Sequence, residues 1–427
     1  FATVPAMTSS PLPPAGAAGP VSVMPLWGVR LELDEKQNFD TLLVGAYNRF
    51  AHAAATSVTS SPGSMYNPLF IFGVPGVGKT HMLHAIGKAL GKDMGAGAVV
   101  MTSGASLACA VTSALADGKL AELEAFIAGA KALLVDDIHL LSISEKNQAP
   151  LVKMFQGFFG KNLQVVLTSV YPPRALGSLE EALKFSLAKG WAVDMKVPNP
   201  NIQGDMITAY ADRKGVQLTP AEMAKFQEQL GGNYPEFPRL IRRWNVLATH
   251  VRSQGQSPTI DDIISDLLNP GVKVSQNEVP VAVELDSVKG FAPPTPDVDA
   301  ASLAVFCPKG QEAMANWVLA RFYQTASKFG IQRTYRHVLF EAYDADQPFG
   351  VPFQIGESCR RSGARAALVL GPADSSKLAT RLGEFSHAVR HILDSFGISM
   401  GWIPYMETTI TRPFLAAHLD FMMAAKP

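Results

Sequence analysis

Apolar positions in this chain follow two different periods, and the places where one gives way to the other outline its architecture. Short apolar runs bounded by turn residues stand at Leu69-Phe70-Ile71-Phe72 and Ala132-Leu133-Leu134-Val135. Runs of this length fit strands covered on both faces. A helical pattern over 81–90 follows the first run, and strand-like and helix-like stretches alternate from about 35 to 196. That alternation predicts a parallel sheet with helices on both faces. Pro198-Asn199-Pro200 marks a boundary, after which only helical patterns recur, at 202–214, 220–230, 235–252 and 260–268. Thr219-Pro220-Ala221-Glu222 is a helix start, with a capping residue, Pro at the first position and Glu at the third. Alternation resumes near 300. Strands are predicted at 303–306, 337–343, 366–370 and 399–403, with helices at 311–328, 351–362, 376–396 and 413–423. This second α/β region reads as a small doubly wound sheet.

Composition shifts complete the division into domains. Residues 1–27 are rich in Pro, Ala, Gly and Ser and read as a disordered linker. A second linker, with a short strand at 281–285, spans 269–299. The predicted units are therefore 28–197, 198–268 and 300–427. The chain opens on Phe1 rather than Met, so a processed form or fragment with a further domain upstream is an expectation.

The boundary after the first strand carries chemistry. Gly73-Val74-Pro75-Gly76-Val77-Gly78-Lys79-Thr80 is a complete G-x-x-x-x-G-K-T phosphate loop between a strand and a helix. Its glycines let backbone N–H groups wrap a phosphate at the start of the helix. Lys79 reaches toward β- and γ-phosphates and the Thr80 hydroxyl toward Mg²⁺. Asp136 and Asp137 end the apolar strand that starts at Ala132. Two acids at a strand tip are costly unless a cation or water meets them. Asp136 is placed near the metal and Asp137 beside the attacking water. ATP or ADP with Mg²⁺ is the ligand pair this pattern implies.

Bulk properties narrow the partners. Charged residues make up 17% and apolar ones 47%, which fits a globular chain with large cores. Lys and Arg number 37, as do Asp and Glu, so the net charge is zero and a strong duplex-DNA footprint is not expected. Cys109, Cys307 and Cys359 follow no metal or disulfide spacing, and a reducing cytoplasmic compartment is the default. No apolar run reaches membrane-spanning length.

A family resemblance rests on several stretches. Phe39-Asp40-Thr41-Leu42-Leu43-Val44-Gly45-Ala46-Tyr47-Asn48-Arg49-Phe50-Ala51-His52 resembles the entry segment of the bacterial replication initiator DnaA, as do Tyr66-Asn67-Pro68-Leu69-Phe70, Gly78-Lys79-Thr80-His81-Met82-Leu83-His84, Leu134-Val135-Asp136-Asp137-Ile138 and Val166-Leu167-Thr168-Ser169. The likeness runs from about 28 to 268. It implies an AAA+ module, a nucleotide-binding α/β domain with a helical lid. By the same resemblance Val44 and Asn48 lie beside the adenine, and Gly73, Pro75, Gly76, Val77, Gly78, Lys79, Thr80 and His81 hold the phosphates.

The departures from the family bear on hydrolysis. Ala188 stands where the family's trans-acting arginine falls, with Lys189 as a partial substitute. Pro235 takes the place of the lid arginine, and Arg239, about one turn later, is the candidate replacement. Val170 stands where an acid follows the Thr-Ser strand end. A lysine lacks the guanidinium fork, so weak hydrolysis is expected. The helix-turn-helix domain by which the family reads duplex DNA has no match after Leu268. Only Lys119 and Lys146 offer positive charge in the family's single-strand-binding regions, where solvated lysines are the simpler reading.

Other clusters stay open. Arg239, Arg242 and Arg243 are either a solvated face or a surface for phosphate or a partner subunit. Asp344 and Asp346 read as turn formers. Arg360, Arg361 and Arg365 are a phosphate site or a helix's basic last turn. His387 and His391 stand four apart on a helix, as metal ligands can, yet no third ligand is visible in the sequence. Three readings follow. The first is a nucleotide switch for self-assembly, as a homo-oligomer, or for docking of a protein partner through 300–427. The second is an initiator or initiator-regulator that binds single-stranded DNA or another initiator. The third places catalysis in 300–427 and makes the AAA+ part regulatory.

Overall fold

The computed structural model describes residues 30–143, 148–176, 189–216, 218–230, 237–255, 300–347 and 350–423. The linkers expected at 1–27 and 269–299, the helix at 260–268, the strand at 281–285, and Ala188, Pro235 and Lys146 lie outside the described residues.

The first unit is a five-stranded parallel sheet ordered β2-β3-β4-β1-β5, with β1 at Leu69–Phe72, β2 at Val99–Ser103, β3 at Ala132–Asp136, β4 at Gln164–Ser169 and β5 at Trp191–Asp194. β3 and β4 are buried throughout and β1 as far as Ile71, as the apolar runs at 132–135, 165–167 and 69–71 require. Helices α1 (Arg49–Ser60) and α2 (Lys79–Met94) cover one face. Helices α3 (Gly104–Ala116), α4 (Leu120–Ala128) and α5 (Gln148–Gly160) cover the other. Because all strands run the same way, Ser103, Asp136 and Ser169 gather at one edge beside the phosphate loop.

Among the described residues, the second unit consists of the helices α6 (Pro200–Arg213), α7 (Pro220–Leu230) and α8 (Phe237–Ser253). The cap read from the sequence is formed. The Thr219 N–H donates to Glu222 Oε2 at 2.7 Å, and the Glu222 N–H donates to Thr219 Oγ1 at 3.3 Å.

The last unit is a four-stranded parallel sheet ordered β7-β6-β8-β9: β6 (Ala301–Pro308), β7 (Tyr335–Tyr343), β8 (Ala366–Leu370) and β9 (Ser399–Ile403). Its crossovers are α9 (Glu312–Lys328), α10 (Val351–Ser362) and α11 (Leu382–Ser395), and α12 (Arg412–Met423) closes it. A short 3-10 turn, Lys377–Arg381, occupies the start of the helix expected from 376. One apolar cluster joins the sheet to α10 and α11, another to α9 and α12.

The three units are not beads on a string. Leu415 and Leu419 of α12, with Ala326 and Ile331, complete the apolar core of the lid helices beside Trp244 and Phe237. Arg243 on α8 forms a two-pronged pair with Asp420 on α12, Nε at 2.8 Å and Nη2 at 2.7 Å. Arg390 joins the same carboxylate at 3.3 Å. Arg243 thus turns neither to solvent nor to a phosphate, because a buried carboxylate of its own chain needs it. Helix α11 lies on α3 and on the turn after β3, through Ala388 and Ile392 against Ala105 and Leu140.

Candidate functional site

The loop between β1 and α2 has the backbone its glycines permit. Gly76 and Gly78 take φ of 83° and 98°, a region that side chains with a Cβ enter at a cost. A Cβ at Gly73 would stand 2.3 Å from the Met195 carbonyl oxygen. Val77 points inward and is fully buried, which pins the loop to the core. Lys79 is buried too, and its Nζ donates to the carbonyl oxygens of Gly73 at 2.8 Å and Val74 at 3.0 Å. Burial pulls its pKa down, while Asp137 and Asp136 act against that shift. The first turn of α2 carries no acid, so nothing within it offsets the helix's positive end.

The acids meet this loop from β3. Thr80 Oγ1 donates to Asp136 Oδ2 at 2.8 Å, and Thr168 Oγ1 donates to the other oxygen. Burial, then the charge of Asp137, raise the Asp136 pKa. Asp137 itself has φ 49°, a left-handed conformation that Asp tolerates better than most residues, and its N–H donates to Thr168 Oγ1 at 2.9 Å. Its Oδ2 lies 2.9 Å from Nε2 of His387, on α11 of the C-terminal unit. Burial would raise the Asp137 pKa. The His387 hydrogen bond and the charges of His387, His139 and Lys79 outweigh it, and the net shift is downward. The reverse holds at His387, where burial lowers the pKa but the bond to Asp137 wins and raises it.

Two more histidines frame this contact. His139, in the 3-10 turn Ile138–Ile143, stacks on His387 with ring centroids 6.3 Å apart. Burial brings its pKa down to about 4. His391 Nε2 lies 2.5 Å from Ser103 Oγ, the residue whose side chain caps α3 by accepting the Ser106 N–H. Of the histidine pair read from the sequence as lacking a third ligand, His387 meets Asp137 and His139, and His391 meets Ser103. The only local signal was His139 itself, a polar ring in the apolar turn Ile138-His139-Leu140-Leu141.

The remaining candidates divide. His81 Nε2 lies 3.0 Å from the Asn38 carbonyl oxygen and 3.2 Å from Thr41 Oγ1, tying the entry segment to α2. Asn48 is buried. Its Oδ1 accepts the Gly45 N–H at 2.9 Å and its Nδ2 donates to Leu43 O at 2.9 Å, so its amide shapes the turn that displays the exposed Val44. Lys189 is exposed just ahead of β5, where Gly190 packs on Pro68 at the start of β1. It therefore stands a strand's length from its own phosphate loop. Arg239 lies in the first turn of α8, and its charge bears on His387, Asp394 and Asp420. Arg360 pairs with Glu357 at 2.8 Å. The Asp346 N–H donates to Asp344 Oδ1 at 3.1 Å, a turn-forming bond. Among the described residues, no helix is long and apolar enough to cross a membrane.

A phosphate loop after the inner strand β1 of a five-stranded parallel sheet, two acids at the tip of β3 on the far side of β4, and a set of helices beyond the sheet are the parts of a nucleotide-binding module of the AAA+ class. Residues 33–194 match the family model of the bacterial DnaA ATPase domain, and the module they belong to is DnaA-like. The chromosomal replication initiator protein DnaA of Caldanaerobacter subterraneus subsp. tengcongensis is 29% identical over 252 residues, 58% of this chain and 57% of the relative. The chain thus spans little more than half the length of that relative. Domain III of the DnaA from Thermotoga maritima has the same fold at 23% identity and a TM-score of 0.50, covering 56% of this chain and all of that one. A DnaA from Aquifex aeolicus, solved with bound AMPPCP, is 23% identical over 68% of this chain and 83% of its own, with a TM-score of 0.46.

Proposed function

We propose that this chain is a nucleotide-operated switch in which ATP and Mg²⁺, held between base and lid, control whether the C-terminal unit stays seated on the base. The residues present fit those ligands. The glycine loop leaves room for phosphate where side chains would clash, and Lys79 is the cation beside it. Thr80 and Asp136, already joined at 2.8 Å, are the hard oxygen donors that Mg²⁺ prefers. When bound, the ion neutralises charge on the phosphate oxygens.

One observation carries the reading: the acid that the family resemblance assigns to the attacking water is held by His387 of another domain. A carboxylate engaged in that bond is not available to orient water. Hydrolysis is therefore slow until α11 lifts, in line with the altered positions 188, 235 and 170. The lid shares its core with α12, so a lid rotation is passed directly to the C-terminal unit. That unit, which we read as a doubly wound domain, then exposes the face it now spends on its own base, and this face docks a partner or a second copy. Head-to-tail stacking would bring Lys189, remote from its own loop, to a neighbour's site.

The test combines nucleotide binding with turnover. Calorimetry is expected to show ATP and ADP binding, and no binding at millimolar nucleotide would end the reading. In a single-turnover assay His387→Ala is expected to hydrolyse ATP faster than the parent, by roughly tenfold or more if Asp137 regains its role. Unchanged or slower turnover would show that the seam does not restrain the acid. A salt titration with single-stranded DNA separates the switch from an initiator-like role, which requires binding that strengthens with ATP.

A further inference from the structure

We propose that Asp137, His139 and His387 form a transition-metal site, suited to zinc, that ties the C-terminal unit to the base. Each residue offers one ligand atom, and the three atoms lie within 4.8 Å of one another. Tetrahedral zinc with ligands at about 2.0–2.2 Å needs its donors roughly 3.3 Å apart. The Asp137–His387 pair already stands at 2.9 Å. A turn of the His387 side chain, 46% exposed, or of the Asp137 carboxyl closes the remainder.

The donor set decides the metal. Two imidazoles and one carboxylate suit zinc and its borderline neighbours, whereas Mg²⁺ and Ca²⁺ favour all-oxygen shells. The site lies beside the Thr80–Asp136 pair and shares no ligand with it. Three protein ligands leave a fourth position for water or a phosphate oxygen.

The surroundings hold the ligands in place. Asp137 and His139 come from a single turn whose first residue is fixed by Thr168. His387 arrives from 250 residues further along the chain, on a helix anchored one turn later by His391 on Ser103. Ala388 and Ile392 pack that helix onto Ala105 and Leu140. Outer contacts of this kind normally fix the orientation of metal ligands. The metal would fasten α11 to the base and occupy the Asp137 carboxylate; that last consequence, silencing of hydrolysis, rests on the switch reading above.

The experiment uses the full chain stripped of metal. Zn²⁺ is titrated against a chromophoric chelator, and Co²⁺ is added in a parallel series read by visible absorption. We expect one equivalent of Zn²⁺ bound at micromolar affinity or tighter, and Co²⁺ bands of tetrahedral strength. His387→Ala and His139→Ala are each expected to weaken Zn²⁺ binding by about 100-fold. His387→Cys, which restores a ligand atom, is expected to recover it, and circular dichroism checks that each variant folds. Lys79→Ala should lose nucleotide affinity and keep Zn²⁺ binding, so failure of the nucleotide reading leaves this result standing. Absence of binding, affinity unchanged in a folded His387→Ala, or octahedral-strength Co²⁺ bands would each overturn the site.

Discussion

Among the described residues there are two parallel sheets, and the first carries after β1 a glycine loop shaped to hold a phosphate. After β1 the backbone passes through three glycines into α2, whose first turn carries no acid and whose first residue is a buried lysine. After β6 the chain turns at a single glycine, Gly310, into α9, whose first residue is Glu312. The Glu312 carboxylate accepts the Gly310 N–H at 3.1 Å, so a side chain already fills the place an anion would take. The strand–loop–helix connection is the same in both; the loop residues alone separate a nucleotide cradle from a plain crossover. What the second sheet contributes is a helix laid against the first sheet's acids.

The comparison can be broken most severely at the seam. Asp420 is nearly inaccessible and faces both Arg243 and Arg390. Asp420→Ala leaves two partly buried guanidinium groups without their carboxylate, and a loss of about 3–5 kcal/mol is expected. Denaturant unfolding measures it, and hydrogen exchange is expected to show α8, α11 and α12 losing protection together. A loss confined to α12 would mean the units do not depend on this pair. Next in size is the cradle itself. Lys79→Ala removes a charge-assisted phosphate contact worth about 1.5–3 kcal/mol, read as weaker ATP affinity by calorimetry, while Glu312→Ala is expected to leave that affinity unchanged.

A smaller effect is expected at Ser103, which caps α3 and receives His391. Ser103→Ala loses a helix cap of about 1 kcal/mol, seen as a lower denaturation midpoint, and exchange of α11 is expected to quicken. The smallest effect is a pH dependence of the seam in metal-free protein. The folded pKa of His387 is raised, so its ion pair with Asp137 contributes fully below the ordinary histidine value of about 6.5. That contribution fades as pH climbs through the raised folded value. Protection of α11, corrected for intrinsic exchange, is expected to fall over that range in the parent and to stay flat in His387→Ala.

Much of the architecture was legible because it is local. Strand periods at 132–135 and 366–370, the glycines that the phosphate loop needs, and the Thr219–Glu222 cap all depend on residues near one another in the chain. The phosphate loop and the pair of acids were each readable as local patterns at a strand end, whereas the strand order that sets β3 one strand away from β1, across β4, is tertiary. The C-terminal elements agree closely as well, from β6 to α12, except that the helix expected from 376 begins with a short 3-10 turn.

Only the tertiary structure decided how the units meet. Arg243 and Asp420 are 177 residues apart, and each sits on a helix where a lone charge reads as a solvated face. Leu415 and Leu419 belong to an ordinary apolar stripe, yet they complete the lid's core while Phe414 and Phe421 of the same helix face their own sheet. His387 and His391 read as a pair without a third ligand, and the structure sets Asp137 and His139 beside His387 from 250 and 248 residues earlier in the chain, while His391 meets Ser103. A sequence states which faces must be buried and which charges need partners. It does not state which distant surface provides them, because that choice is made by shape and by the sum of many weak contacts that exist only once the units are folded.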